Sequence, residues 1–238
     1  MPTELALAPR LVVATWNVHG CVGQDGRFDP VRTASVIRRL DADLLALQEV
    51  DSRHGLARGL DTFSFLTEIT EHFAFKTVAI DGDSGHYGQM LLSRWPMLWA
   101  RSHDISVPNR EPRRVIDAEA EMPGGRLRML ATHLGLSPAE RRSQIAQLNH
   151  ILASSPGGAA VVLGDFNEPR RKGPAHRALA SSFSAARPWA TFPARLPMLA
   201  LDRIWCRSPL VVARSWALRG VAHASDHLPL VAELSWGG

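Results

Sequence analysis

What most constrains this chain is a series of short apolar runs, each stopped abruptly by a polar residue. The clearest is Ala159-Ala160-Val161-Val162-Leu163, which ends in Gly164-Asp165-Phe166-Asn167. A run of that length, bounded by such residues, reads as a buried strand whose last side chains project from the sheet end into a loop. Asp and Asn bond their own backbone at strand ends, so for Gly-Asp-Phe-Asn alone a plain turn is the better reading. The odds change because other runs end in the same way.

Leu11-Val12-Val13-Ala14 runs into Thr15-Trp16-Asn17-Val18-His19, placing a carboxamide and an imidazole beyond a strand. Asn17 can orient a phosphate or a metal ligand, whereas His19 reads as a loop residue. Leu44-Leu45-Ala46-Leu47 closes on Gln48-Glu49. A carboxylate there is costly without a charged partner, so Glu49 is either a surface residue or a ligand for a hard divalent cation. Leu127 to Ala131 stops at Thr132-His133-Leu134 and pairs, through the turn Pro123-Gly124-Gly125, with an alternating strand over 116–122. Arg113 and Arg114 precede this hairpin, either as phosphate contacts or as a solvated basic pair. Leu199 to Trp205 contains Asp202, and Ser225-Asp226-His227 precedes a last strand over 229–234. An Asp beside a His before a closing strand suggests an orienting carboxylate and a catalytic imidazole.

Helices fill the intervals. Asp29-Pro30 caps one bearing Val36, Ile37 and Leu40, and Ser137-Pro138-Ala139-Glu140 is a capping box for another bearing Ile145, Leu148 and Leu152. Phe65, Leu66, Ile69 and Phe73 mark a third, ending near His72, with both phenylalanines as core packing. Strands are further expected over 89–93 and 210–216. Loops are expected over 51–59 and 82–88. A long connection over 168–198, with a weak helix near 175–182, has the length that in compact domains often carries function.

With 238 residues, 45% of them hydrophobic and 21% charged, the chain has ample core material and is expected to form one domain over 1–238. The net charge is +4, carried almost wholly by arginine because only Lys76 and Lys172 are lysines. That leans towards anionic substrates without deciding anything. Cys21 and Cys206 are too few for a disulfide framework or a zinc site, and oxygen donors further disfavour a zinc hydrolase. No run is long enough for a membrane span and no cationic apolar leader precedes the first strand, so a cytoplasmic monomer is expected.

Taken in order, Thr15-Trp16-Asn17, Gln48-Glu49-Val50, Thr132-His133-Leu134, Gly164-Asp165-Phe166-Asn167, Leu201-Asp202-Arg203-Ile204 and Ser225-Asp226-His227 resemble the endonuclease/exonuclease/phosphatase superfamily. The resemblance implies a four-layered α/β sandwich, two mixed sheets face to face with helices outside. It implies a metal-dependent hydrolase of phosphoesters using Mg²⁺ or Mn²⁺. Glu49 would be the principal ligand, with Asn17 and Asp226 near the metal. Asp165 would position or deprotonate the attacking water, Asn167 would hold it or a phosphate oxygen, and His227 would contact the phosphate, oriented by Asp202. His133 is similar to the His of pancreatic-type deoxyribonucleases, sphingomyelinases and tyrosyl-DNA phosphodiesterases, where apurinic-site endonucleases have Tyr. Gln89 stands where the deoxyribonucleases have a carboxylate supporting that His, so any support for His133 from this position is expected to come from a neutral amide. The implied partner is nucleic acid or a phospholipid headgroup. A phosphomonoester remains open, and a catalytically silent scaffold is the rival from another class.

Overall fold

The computed structural model describes residues 10–56, 59–155 and 157–237. Among these residues twelve strands form two six-stranded sheets. The first sheet takes β1 (Arg10–Asn17), β2 (Leu44–Asp51), β3 (Phe73–Gly82), β4 (Gly85–Ser93), β11 (Leu210–Ala217) and β12 (Leu230–Trp236), in the order β11-β12-β1-β2-β4-β3. The second takes β5 (Met97–Asp104), β6 (Arg114–Met122), β7 (Gly125–His133), β8 (Ala159–Asp165), β9 (Ser184–Ala185) and β10 (Asp202–Arg207), in the order β5-β6-β7-β8-β10-β9. Each sheet is mixed, with one parallel pair at its centre: β1 with β2, and β7 with β8. Parallel neighbours need a crossover, supplied here by α1 (Pro30–Leu40) and α4 (Pro138–Ala153).

Strand alternation divides the apolar residues among three cores. Leu11, Val13, Leu44, Ala46 and Leu91 of the first sheet meet Met129, Val161, Leu163 and Ile204 of the second between the sheets. The opposite faces carry Trp16, Leu45, Leu47 and Met90 against α1 and α3 (Thr62–Thr70), and Val162 and Trp205 with Ile145 and Leu148 of α4 and Leu179 of α5 (Pro174–Leu179). The result is the expected four-layered sandwich.

Several elements differ from the sequence reading. The helix carrying Phe65 and Leu66 ends at Thr70, because Glu71 takes a left-handed conformation (φ 57°). Phe73 therefore opens β3 and lies half exposed at 50%, not in the core. β3 and β5 lack the apolar runs that mark buried strands, since both lie at or near sheet margins and read as mostly half-buried or exposed. The expected loop over 82–88 is largely β4, joined to β3 by a tight turn. The strand expected from Leu199 starts only at Asp202.

Candidate active site

Side-chain parity explains why the motif residues meet. In β8 Ala159, Val161 and Leu163 face the other sheet, so Asp165 does too. In β7 Leu127, Met129 and Ala131 set the same direction for His133, and in β1 Leu11 and Val13 set it for Asn17. β10 continues the rule, with Ile204 inward and Asp202 two residues earlier. At one end of the sandwich these four polar side chains replace the apolar core, all at most 4% exposed.

Glu49 breaks the parity. Leu47 and Val50 both pack on the helix side of the first sheet, and Gln48 and Glu49 together stand opposite Gln89 of β4, a β-bulge. Glu49 occupies the left-handed region at φ 57°. The extra residue turns its carboxylate to the site, where Asn17 Nδ2 donates to Glu49 Oε1 at 2.8 Å and to Asp165 Oδ2 at 3.2 Å. Asn17 Oδ1 accepts the His19 N–H (3.0 Å). Asn17 thus bridges two carboxylates across the sheets, with one lone pair of its oxygen taken by His19.

The Asp165 carboxylate is further fixed by the backbone N–H of Asn167, which donates to Oδ1 at 2.8 Å. Asn167 is itself left-handed (φ 48°) and its Nδ2 donates to the Leu134 carbonyl. Gly164 is dictated by packing: at φ 149° an added Cβ would lie 1.9 Å from the Thr132 carbonyl oxygen. Burial pushes the Asp165 carboxyl up to about 6, with the His227 charge opposing and the Asp202 charge reinforcing.

His227 Nδ1 donates to Asp202 Oδ2 at 3.0 Å, and that oxygen also accepts from Thr191 Oγ1 at 2.5 Å. A carboxylate can only accept, which places a proton on Nδ1 and turns Nε2 towards Asp165 Oδ2 at 3.7 Å. Burial works against the imidazolium. The Asp202 charge and hydrogen bond, with Asp165 and Asp226 behind them, overcome it and push the pKa up to about 10. The main chain is fastened as well: Trp16 Nε1 donates to the His227 carbonyl, and Ser225 Oγ accepts the His227 N–H while donating to the Asn17 carbonyl.

His133 is the opposite case. Burial, then the Arg113 and His227 charges, hold its pKa well below the ordinary range. Arg113 Nη1 lies 3.3 Å from His133 Nδ1, which must accept, so the proton sits on Nε2, 3.7 Å from Asp165 and 3.8 Å from Glu49. The support expected from Gln89 is not found: its Nε2 donates across the sandwich to the Arg114 carbonyl at 2.7 Å. Arg113 is not a solvated cation either, being 6% exposed and also paired with Glu111. Arg114 pairs with Asp104 at 3.1 Å. Neither Gln89 nor Arg114 has a hydrogen bond or ion pair to Asp165, His133 or His227. Asp226 is partly exposed, with its carboxylate 3.4 Å from Ser225 Oγ and its carbonyl accepting the Ala194 N–H.

Sequence reasoning missed Thr191, Trp16 and Ser225 as supports, and Phe192, whose ring lies 4.9 Å from that of His227. The only signal for Thr191 and Phe192 was the length of the 168–198 connection.

The donors suit a hard cation. Glu49 and Asp165 share one amide donor, so two carboxylate oxygens lie close together in the way a divalent cation requires. Asp165, Asp202 and His227 also place ligand atoms within 4.8 Å of one another.

A pair of mixed six-stranded sheets whose rim gathers carboxylates, amides and two imidazoles is an α/β sandwich of the deoxyribonuclease-like type. The chain belongs to the endonuclease/exonuclease/phosphatase family, whose family model matches residues 14–227. It is 34% identical over 241 residues to the uncharacterised protein YbhP of Escherichia coli, covering 93% of this chain and 95% of that one. Among solved structures, it is similar to an endonuclease/exonuclease/phosphatase from Beutenbergia cavernae (TM-score 0.78, 21% identity, 96% of this chain and 72% of that one). It is also similar to a mannosyl-6-phosphatase of Bacteroides thetaiotaomicron (TM-score 0.78, 15% identity, 95% of this chain and 100% of that one). Among the described residues, no helix is long and apolar enough to cross a membrane.

Proposed function

We propose that this chain is a divalent-metal-dependent phosphodiesterase that hydrolyses nucleic acid by in-line attack of an activated water. The observation that carries the reading is the meeting of two imidazoles at one carboxylate: Asp165 Oδ2 lies 3.7 Å from both His227 and His133. A phosphodiester is anionic and repels a hydroxide, so a hydrolase needs a base for water and cations or donors for the phosphoryl oxygens. Asp165, poised near 6 and held by Asn17 and Asn167, is the base. His227, kept cationic by Asp202, presents a charged N–H to a phosphoryl oxygen, and His133 presents a neutral one. Asn167 orients the water, and Arg113 acts through His133 by fixing its tautomer. Glu49, with Asn17 and Asp226 near it, is the residue that would hold Mg²⁺ or Mn²⁺, and the ion when bound would neutralise phosphate charge. The arginine-borne net charge of +4 leans towards an anionic substrate, of which nucleic acid is one.

Hydrolysis of a phosphomonoester is the second reading, favoured by the similarity to the Bacteroides mannosyl-6-phosphatase. A panel of plasmid DNA, single strands, phospholipid vesicles and sugar phosphates, each with Mg²⁺, with Mn²⁺ and with excess chelator, separates the two. Metal-dependent cleavage of DNA that Asp165→Asn slows roughly 10²–10⁴-fold is the expected result. Turnover of sugar phosphates alone moves the assignment to the monoester reading, and no turnover of any class leaves a binding scaffold.

A further inference from the structure

The same alternation that sends Asp202 and Ile204 between the sheets sends Arg203 and Trp205 to the outer face of the second sheet. A cavity of about 460 Å³ lies there, lined by Arg171, Lys172, His176, Arg187, Arg203 and Trp205 together with small apolar residues, and by no carboxylate. Among the described residues none of its four cations is ion-paired. Arg187 lies over the Trp189 ring at 4.7 Å, and Arg203 Nη2 donates to the Glu168 carbonyl at 3.0 Å. Of the acids whose charge acts on Arg203, Asp202 points the other way, between the sheets, and Glu168 has its carboxylate engaged elsewhere: Oε1 accepts the Arg170 N–H, and Oε2 is 3.9 Å from Arg141.

The decisive feature is on the cavity's inner wall. Arg203 and Trp205 are 8% and 2% exposed, and Arg203 Nη1 and Trp205 Nε1 are buried without any hydrogen-bond partner. Both groups can only donate, and buried donors are seldom left orphaned in a native fold. His176, its ring tilted 52° against Trp205 with centroids 5.5 Å apart, closes the aromatic side. Four cations exceed what one carboxylate neutralises and match the charge and the several acceptor oxygens of a phosphate group. The volume falls within the usual ligand range of about 300–1,000 Å³ and exceeds a bare phosphate.

We propose that this cavity is a second, non-catalytic site that binds a phosphate-bearing ligand through Arg171, Lys172, Arg187 and Arg203. The inference does not depend on the hydrolytic reading, because it uses none of the residues of the catalytic rim. The two places are nonetheless joined, since the Glu168 carbonyl held by Arg203 is one residue past Asn167. Any test must therefore show that a response in the cavity does not originate at Asp165 and His227.

The Trp205 indole N–H provides a local reporter in nitrogen-resolved magnetic resonance, assigned by its disappearance in Trp205→Phe. Orthophosphate, a nucleoside monophosphate and a short single-stranded oligonucleotide are titrated into the protein in excess chelator. A saturable shift of the Trp205 signal is expected. It should be weakened at least tenfold in Arg171→Gln/Arg187→Gln, whose altered side chains are exposed, and retained in His227→Gln. Tighter binding of the oligonucleotide identifies the source as a nucleic-acid chain, and equal or tighter binding of the mononucleotide identifies a free phosphoester. An unmoved Trp205 signal, equal affinity in the double variant, or loss of the response in His227→Gln would overturn the proposal.

Discussion

His227 and Asp202 are joined by a 3.0 Å hydrogen bond between two side chains that are 5% and 0% exposed. An ion pair this dry is costly to break, because removing one partner strands a charge away from water. In the metal-free protein His227 should remain protonated through neutral pH, its pKa having moved from 6.5 to about 10. Asp202→Asn removes the charge that overcomes burial, so the imidazole should titrate well below the wild-type value. Magnetic resonance of the ring nitrogens checks this, and equal titration in both proteins rejects the pairing.

The same shift has a stability consequence of fixed sign. A folded-state pKa above the unfolded one means that the folded protein holds the proton more tightly. The contribution is complete below pH 6.5 and is lost as pH rises to about 10. Wild-type unfolding free energy should therefore fall across that window relative to Asp202→Asn, measured by urea denaturation at several pH values. In turnover, Asp202→Asn and His227→Ala should be non-additive, as expected for residues acting as a unit.

Glu49→Gln should abolish Mg²⁺ or Mn²⁺ binding measured by calorimetry while leaving the fold intact. Glu49 is partly exposed and its amide analogue can still accept from Asn17, so the metal-free stability should change by less than about 1 kcal/mol. Full activity in excess chelator would contradict the assignment of a metal to this residue.

Asp165→Asn keeps the shape of the turn and an oxygen to accept the Asn167 N–H, but removes the base. Turnover should fall roughly 10²–10⁴-fold with substrate affinity retained. Separate measurement of kcat and binding decides between this and a structural turn residue, for which Asn would serve as well.

Gly164→Ala should destabilise the protein by about 2–5 kcal/mol, because φ is 149° and the added methyl would meet the Thr132 carbonyl at 1.9 Å. β7 and β8 would have to separate beside His133 and Asp165, so activity should fall with the denaturation midpoint. An unchanged midpoint would show that the close approach is not required.

Much of this site is readable from residue order. Asp165, His133 and Asn17 each continue the alternation of a strand whose apolar positions are plain in the chain, so their common direction follows from local pattern. Asp202 and His227 were legible as an acid and an imidazole at strand ends. Thr191 was not, because a Thr in an irregular connection carries no periodic signal and acquires meaning only from the oxygen it reaches. β3 and β5 escaped for a related reason: strands at sheet margins bury little, and so need no apolar run.

By itself, the sequence determined which strands are buried, where each one stops, and which polar groups stand at those ends, because burial and period are local properties of the chain. The tertiary structure decided the rest, since it depends on which ends become neighbours. Strict alternation would send Glu49 to the helix side, and only pairing β2 with β4 through a bulge turns it to Asn17. The partner of His133 was likewise decided in space: Gln89 ties two sheets together, and Arg113 takes the place beside the imidazole. One ring is thereby held neutral and the other, beside Asp202, charged, a difference no pattern of residues along the chain encodes.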